Sequence, residues 1–360
     1  MNLKNWLYSL AFTLASCSSG HGDSPIGPYP TFPSVPVEYA TVFELFNPNY
    51  EEENVMFNLG LSDYTITVTD ANTITLAQQA LFGGSLTLTQ NGPNSDFNKL
   101  TSPSGSFYIA QKSRTVNFPN YPFQSNYLDI RRGFQNYRFD LYGRSATVEN
   151  TLVLGGKQMD LEFADFGIWA IRYRVEGELI DINSPAMTRN GYDNTRTHAI
   201  VIGSQPSSGF GATTPGEIVF TGTAVALATN GLTQNHEAHS QIVYGTARLT
   251  LNPLGLGVTS SAANQLELDF PDFYRFTFSN LQLNGNGSIS GGASLGLSIE
   301  DRNNKTMINF GATENYMWSP MNGNLFGATN NPTEAVGGFI ISSTNSSIPT
   351  RVDGAWGVRR

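Results

Sequence analysis

Few residues in this chain are of a type and spacing that could do chemistry. The densest group is Asn235-His236-Glu237-Ala238-His239. On a helix, His-x-x-His would turn both imidazoles to one face and suit a metal ion. Here the pair falls between two strand-like runs, so it reads as two solvated loop histidines. The alternative is a haem contact, because imidazole is a good axial ligand to haem iron, through His236 or His239. The zincin spacing His-Glu-x-x-His is missed by one residue. Asp269 and Asp272 form an acid pair, but across a strand end and turn, which is poor support for glycosidase chemistry. No Gly-x-Ser-x-Gly elbow occurs, and Gly285-Asn286-Gly287-Ser288 lacks the Gly-Lys-Ser/Thr ending of a phosphate loop. These residues support no catalytic constellation. The expectation is a protein that is not an enzyme and has no cofactor, with haem as the alternative.

The one cysteine, Cys17, has another use. It follows a leader with Lys4, an apolar run from Trp6 to Ala15 and then small residues, the three-part pattern of a secretory signal. The run is well short of the roughly 20 residues of a lasting transmembrane helix. Leu14-Ala15-Ser16-Cys17 resembles the lipobox of bacterial lipoproteins, which implies acylation of Cys17 and anchoring in a membrane. Ser18, in place of an aspartate, favours the outer membrane by resemblance to sorting rules. With Cys17 lipidated, no thiol remains for a disulfide, and the fold must rest on burial alone.

Composition narrows the partners. The net charge is −9, the sequence pI is near 4.9 and only 14% of residues are charged. A chain with this balance and no basic stripe is a poor match for nucleic acid. Aromatics make up 12%, alongside abundant Gly, Asn, Ser and Thr, which suits strands joined by tight turns.

The organisation follows from patterning. Residues 1–16 read as the signal, and 17–37 as the lipidated cysteine with a Gly/Ser then Pro-rich tether. Residues 38–205 read as a β-rich domain and 206–360 as a β-barrel domain, with the break in the Gly/Ser/Pro-rich stretch 203–216. In the first domain Tyr64–Val68 and Ser85–Thr89 alternate. Met159–Phe163 alternates too, and Ala164-Asp165-Phe166-Gly167 reads as a turn into a second alternating run, making a hairpin. In that run Trp169, Ile171, Tyr173 and Val175 share a face. Thr75–Leu81 is the best helical candidate. Beyond residue 216, strands are predicted at Glu217–Ala228, Gln241–Leu251, Gln265–Phe270, Tyr274–Leu283, Leu295–Glu300, Thr306–Gly311, Gly338–Ser342 and Val352–Val358. Six to eight antiparallel strands at hairpin spacing suggest a barrel. The fold class is therefore all-β. Asn117–Tyr127 is an aromatic loop punctuated by proline, and Tyr121, Phe123 and Tyr127 are its candidate ligand contacts. Glu334 reads as a solvated loop acid and Trp356 as core.

Several of these pieces, taken in order, resemble one family. Thr221-Gly222-Thr223-Ala224 with Tyr244–Leu249 looks like a first barrel hairpin. Gly323-Asn324-Leu325-Phe326-Gly327 then Glu334–Phe339 looks like a small loop, Glu, Gly-Gly, strand segment, with a longer loop before Glu334. Asp353–Arg360 looks like a closing strand, and Phe166-Gly167-Ile168-Trp169 like an aromatic-Gly-x-Trp strand. Together they resemble the transferrin-binding-protein-B-like, Slam-dependent surface lipoproteins, which include factor-H-binding and haem-binding relatives. The resemblance implies a handle domain followed by an eight-stranded barrel. It implies capture of a host serum protein of the transferrin, haemoglobin or factor H class by a surface-exposed monomer. It also implies a dedicated translocator, with a haem-binding or an adhesive role as alternatives.

Overall fold

The computed structural model describes residues 39–43, 54–57, 64–70, 72–78, 84–89, 95–102, 105–118, 127–132, 135–155, 159–208, 216–230, 239–252, 259–260, 264–271, 273–291, 297–301, 307–309, 321–342 and 351–360. Cys17, Tyr121, Phe123 and His236 lie outside them. The fold is all-β. The strands are β1 (Tyr39–Phe43), β2 (Asn54–Phe57), β3 (Tyr64–Asp70), β4 (Thr73–Gln78), β5 (Gly84–Thr89), β6 (Phe97–Ser102), β7 (Gly105–Asn117), β8 (Tyr127–Arg132), β9 (Gln135–Asp140), β10 (Ser145–Leu154), β11 (Ala164–Ile180) and β12 (Thr188–Gly203). After these come β13 (Ile218–Asn230), β14 (His239–Leu251), β15 (Thr259–Ser260), β16 (Gln265–Asp269), β17 (Tyr274–Ser279), β18 (Gln282–Leu283), β19 (Ser288–Gly291), β20 (Leu297–Asp301), β21 (Met307–Asn309), β22 (Met321–Ala328), β23 (Asn331–Ser342) and β24 (Arg351–Arg359).

Two large antiparallel sheets dominate. The first runs β1-β12-β11-β10-β7-β6, and small sheets β2-β8-β9 and β3-β4-β5 accompany it. The second has twelve segments in the order β15-β18-β19-β22-β23-β24-β13-β14-β16-β17-β20-β21, eight of them five residues or longer. It curls as a barrel wall does. Phe278 on β17 and Phe339 on β23 are five strands apart, roughly 24 Å in a flat sheet, yet their ring centroids are 6.2 Å apart. One core of Phe220, Leu249, Leu268, Phe276, Phe339 and Trp356 fills the concave side. The alternation of Leu266 and Leu268 with Glu267 and Asp269 follows from it, because only one face of β16 is buried.

The first sheet is covered on both sides where β11 begins and β12 ends. One face carries Trp169, Ile171, Tyr173 and Val175 in a core shared with Ile74 and Leu76 of β4. The other carries Phe166, Ile168, Ala199 and Val201 against Val225, Val336 and Ala355 of the second sheet. This double burial explains the continuous apolar start of β11, and it corrects the predicted hairpin there. Ala164-Asp165-Phe166-Gly167 is no turn: it opens β11, in register with Gly203–Ile200 of β12. Gly167 serves close approach, since a Cβ there would sit 1.8 Å from the Val153 carbonyl oxygen. Residues 159–163 form no strand.

Three further expectations change. Of the helical candidate Thr75–Leu81, the described residues Thr75–Gln78 are strand, not helix. They lie in β4, where Ile74 and Leu76 point into the core and Thr75 faces outward, a period of two. Gly323–Gly327 is no loop but lies in β22, and Phe326 pairs directly with Glu334 of β23, so no long loop separates them. Glu334 is buried rather than solvated, 2% exposed. Trp356 is fully buried. The chain leaves the first sheet at Gly203 and enters the second at Ile218.

Candidate functional site

The long β11–β12 hairpin ends in a connection, residues 181–187, held by one buried carboxylate. Asp181 is 2% exposed. Its Oδ1 accepts the Asn183 N–H at 3.1 Å, an Asx-type turn, and the Arg138 N–H of β9 at 3.0 Å. Ile182 N–H donates to the Arg138 carbonyl at 2.8 Å, and Asp181 bridges Phe139. The hairpin tip is thereby tied to β9.

The turn from β9 into β10 lies beside it. Asp140 Oδ1 caps the Tyr142 N–H at 2.9 Å. Gly143 takes φ +67°, which glycine adopts without strain. Arg144 reaches across to the Glu178 carbonyl. Glu178 follows a bulge between Val175 and Glu178, where Gly177 has φ +86°. A bulge of this kind bends and twists the end of a strand.

These two turns present Tyr142 (43% exposed), Ile180 (47%), Ile182 (43%) and Met187 (45%). They are the exposed large hydrophobic side chains among the described residues. Four at one end of one sheet is a concentration rather than the usual scatter of single apolar residues.

The sequence-predicted aromatic loop belongs to the same end. Asn117 pairs with Ser145, and Phe118 N–H donates to the Arg144 carbonyl at 2.9 Å. Tyr127 opens β8 opposite Asp140. Both ends of the loop are thus fixed to the turn that carries Tyr142. Phe118 itself turns inward, 3% exposed, onto the core of the first sheet. The structure brings Tyr127 to this end; Tyr121 and Phe123 fall between the two fixed ends, outside the described residues. The four exposed side chains were missed in the sequence. Ile180-Asp181-Ile182 does hold a signal, two apolar residues flanking an acid at a hairpin end, where turn residues are ordinarily polar.

Of the histidines, His198 and His239 fall within the described residues. His239 opens β14 in register with Asn230. His198 is buried on β12, its ring centroid 5.7 Å from that of Trp169, and Trp169 Nε1–H donates to Asn150 Oδ1 at 3.0 Å. Among the described residues, no three His, Cys, Asp or Glu side chains group as metal ligands. Asp269, of the predicted acid pair, accepts from Arg275 Nη2 at 2.7 Å, and Arg275 also lies 3.4 Å from Glu300. These carboxylates hold the Arg275 guanidinium above its ordinary pKa, hydrogen bonding to Asp269 leading. Asp272 lies outside the described residues. On the open face of β11, Arg172 grips Asp193 at 2.5 Å with Glu149 at 3.7 Å. Such solvent-exposed pairs contribute little to stability.

No protein-family model matches the chain, and neither does any curated protein sequence. Solved structures do. A Trp-176-Ala mutant of the vaccine antigen transferrin binding protein B from Haemophilus parasuis Hp5 matches with TM-score 0.31 and 11% identity, over 83% of this chain and 53% of that one. The intact Ap-TbpB, with N and C lobes, matches with TM-score 0.31 and 11% identity, over 84% and 54%. This chain spans about half the length of those proteins.

Proposed function

We propose that this chain is a surface-exposed outer-membrane lipoprotein that captures a host serum protein without catalysis, using the tip of the first sheet. The observation that carries the reading is the grouping of Tyr142, Ile180, Ile182 and Met187 in the open at the end to which both ends of the 119–126 segment are fixed. Exposed apolar patches on a rigid scaffold mark protein-binding sites. Aromatic anchors such as Tyr121, Phe123 and Tyr127 carry binding energy out of proportion to their number. The lipobox at Cys17 and the tether to residue 37 support display at a membrane through acyl chains. The sequence resemblance favours a ligand of the transferrin, haemoglobin or factor H class and export by a dedicated translocator.

The test is a capture experiment. Residues 18–360 are immobilised without lipid and exposed to haemolysed host serum; the eluate is read by mass spectrometry and its absorbance recorded. One enriched serum protein, lost on Tyr121→Ala with Phe123→Ala or on Ile182→Ser, is the expected result. A Soret band with no enriched protein would replace this reading with haem binding and direct attention to His236 and His239. No binding at micromolar concentration would leave an adhesive or structural role. Display is tested separately by protease treatment of intact cells, with Cys17→Ala expected to release the protein from the membrane.

A further inference from the structure

The contact between the two large sheets is mostly apolar, but one edge of it is ionic. Glu334 of β23 is 2% exposed. Its Oε1 accepts the Glu162 N–H at 2.5 Å and its Oε2 the Phe163 N–H at 3.0 Å. Arg359 of β24 stands opposite Glu334 in register. Its Nη1 donates to the Asp160 carbonyl at 3.1 Å and lies 3.9 Å from the Asp160 carboxylate. An anion and a cation on adjacent strands of the second sheet therefore grip opposite poles of one short backbone segment, 159–163. That segment is not a strand; the Phe163 carbonyl accepts the Ser204 N–H at 2.7 Å, and the segment leads directly into β11.

The other approach of the first sheet to the second is also fixed. Ser207 N–H donates to the Leu325 carbonyl at 2.8 Å, and Gly327 N–H to the Gln205 carbonyl at 3.1 Å. The entry to β11 and the exit from β12 are thus both held on β22 to β24.

We infer that Glu334 and Arg359 form an ionisable latch that sets how the first sheet is carried on the second, with Glu334 as the positioning residue. The leverage is large. β11 has 17 residues and spans roughly 50 Å from latch to tip, so a rotation of about 5° at Ala164 would move Ile180 by roughly 4 Å. The latch does not depend on what the tip binds.

Its charge state is sensitive to its surroundings. Burial pushes the Glu334 carboxyl above the usual carboxylate range, against the pull of the Glu162, Phe163 and Ala164 N–H groups and of Arg359. The charged group acting on it is Arg359 from β24; Asp160 and Glu162 are the titratable residues of the segment it holds. A carboxyl whose pKa is raised in the closed state favours closure when protonated. The latch contribution is full below the ordinary value of 4.5 and falls as pH rises through the raised one.

The test is hydrogen exchange with mass spectrometry on the full chain between pH 5 and pH 8, corrected for the intrinsic pH dependence of exchange. Peptides covering 159–166 report the latch, and peptides covering 145–154 report the intact sheet. Wild type should show more protection of 159–166 at pH 5 than at pH 8, with 145–154 unchanged. Glu334→Gln, an uncharged isostere of the protonated side chain, should remove that dependence and hold protection of 159–166 near the wild-type level at pH 5; Arg359→Met should lower protection while keeping a pH dependence. A flat wild-type profile overturns the inference even if neither variant folds. So does a Glu334→Gln protein whose 159–166 protection follows the wild-type curve.

Discussion

The ring of Phe166 lies over the bare backbone of Gly357, so close that a Cβ on Gly357 would sit 2.2 Å from the ring. The relation is reciprocated. Phe326 of the second sheet covers Gly203 of the first, where a Cβ would stand 2.1 Å from its ring. Each sheet thus inserts one phenyl ring into a gap in the other, a fit set by shape that aliphatic burial alone would not provide.

Gly357→Ala and Gly203→Ala should each destabilise the protein by about 1–3 kcal/mol, because the added methyl meets a ring held from behind. Phe166→Ala should cost about 3–5 kcal/mol by leaving a cavity. Thermal unfolding followed by circular dichroism measures all three. A Gly357→Ala protein as stable as wild type would mean that the sheets sit farther apart.

Substitution at the tip should separate stability from binding. Ile182→Ser and Met187→Ser, on exposed side chains, should change stability by no more than about 0.5 kcal/mol. Capture of the serum ligand should fall at least tenfold. Unchanged capture would move the site away from this end.

Asp181→Ala removes the acceptor shared by the Arg138 and Asn183 N–H groups. The expected loss is about 1–3 kcal/mol, the cost of stranding buried donors. Hydrogen exchange should place the loosening at 138–140 and 181–187, with β13 and β24 unaffected.

Tyr244 provides a marker at alkaline pH. Burial pushes its phenol from 10.0 up to about 12, and its ring lies 4.9 Å from that of Phe107 in the first sheet. Because the folded pKa is the higher one, the stability it contributes is complete below pH 10.0 and lost as pH rises toward about 12. Tyrosinate absorbance should show a late-titrating group that is lost in Tyr244→Phe, and that variant should lose less stability between pH 10 and pH 12.

Much of the second sheet was legible because one of its faces is wet. The strands at Gln265–Asp269 and Leu297–Asp301 announce themselves by alternation, and β13 and β14 lie within two residues of the predicted limits at every end. Legibility failed where burial is two-sided or glycine does structural work. Ala164–Ile171 is buried throughout, so no period of two survives there, and its Asp and Gly suggest a turn. Gly323 and Gly337 look like loop residues, yet each is needed because the Trp356 ring packs where its Cβ would be. Glu334 carried no local sign of burial, since its partners lie some 170 residues earlier in the chain. At the tip, the described ends of the proline-punctuated stretch, Phe118 and Tyr127, meet the turn between β9 and β10, a proximity that no local pattern foretells.

β24 lies between β13 and β23 in the second sheet. Its pairing with β13 joins residues about 130 positions apart, a contact whose closure entropy must be met before any of its bonds form. Until Arg351–Arg359 arrives, β13 and β23 each have an open edge, and open edges invite pairing with other chains. The centre of this sheet is therefore finished late, and during that interval the nascent protein depends on whatever shields those edges.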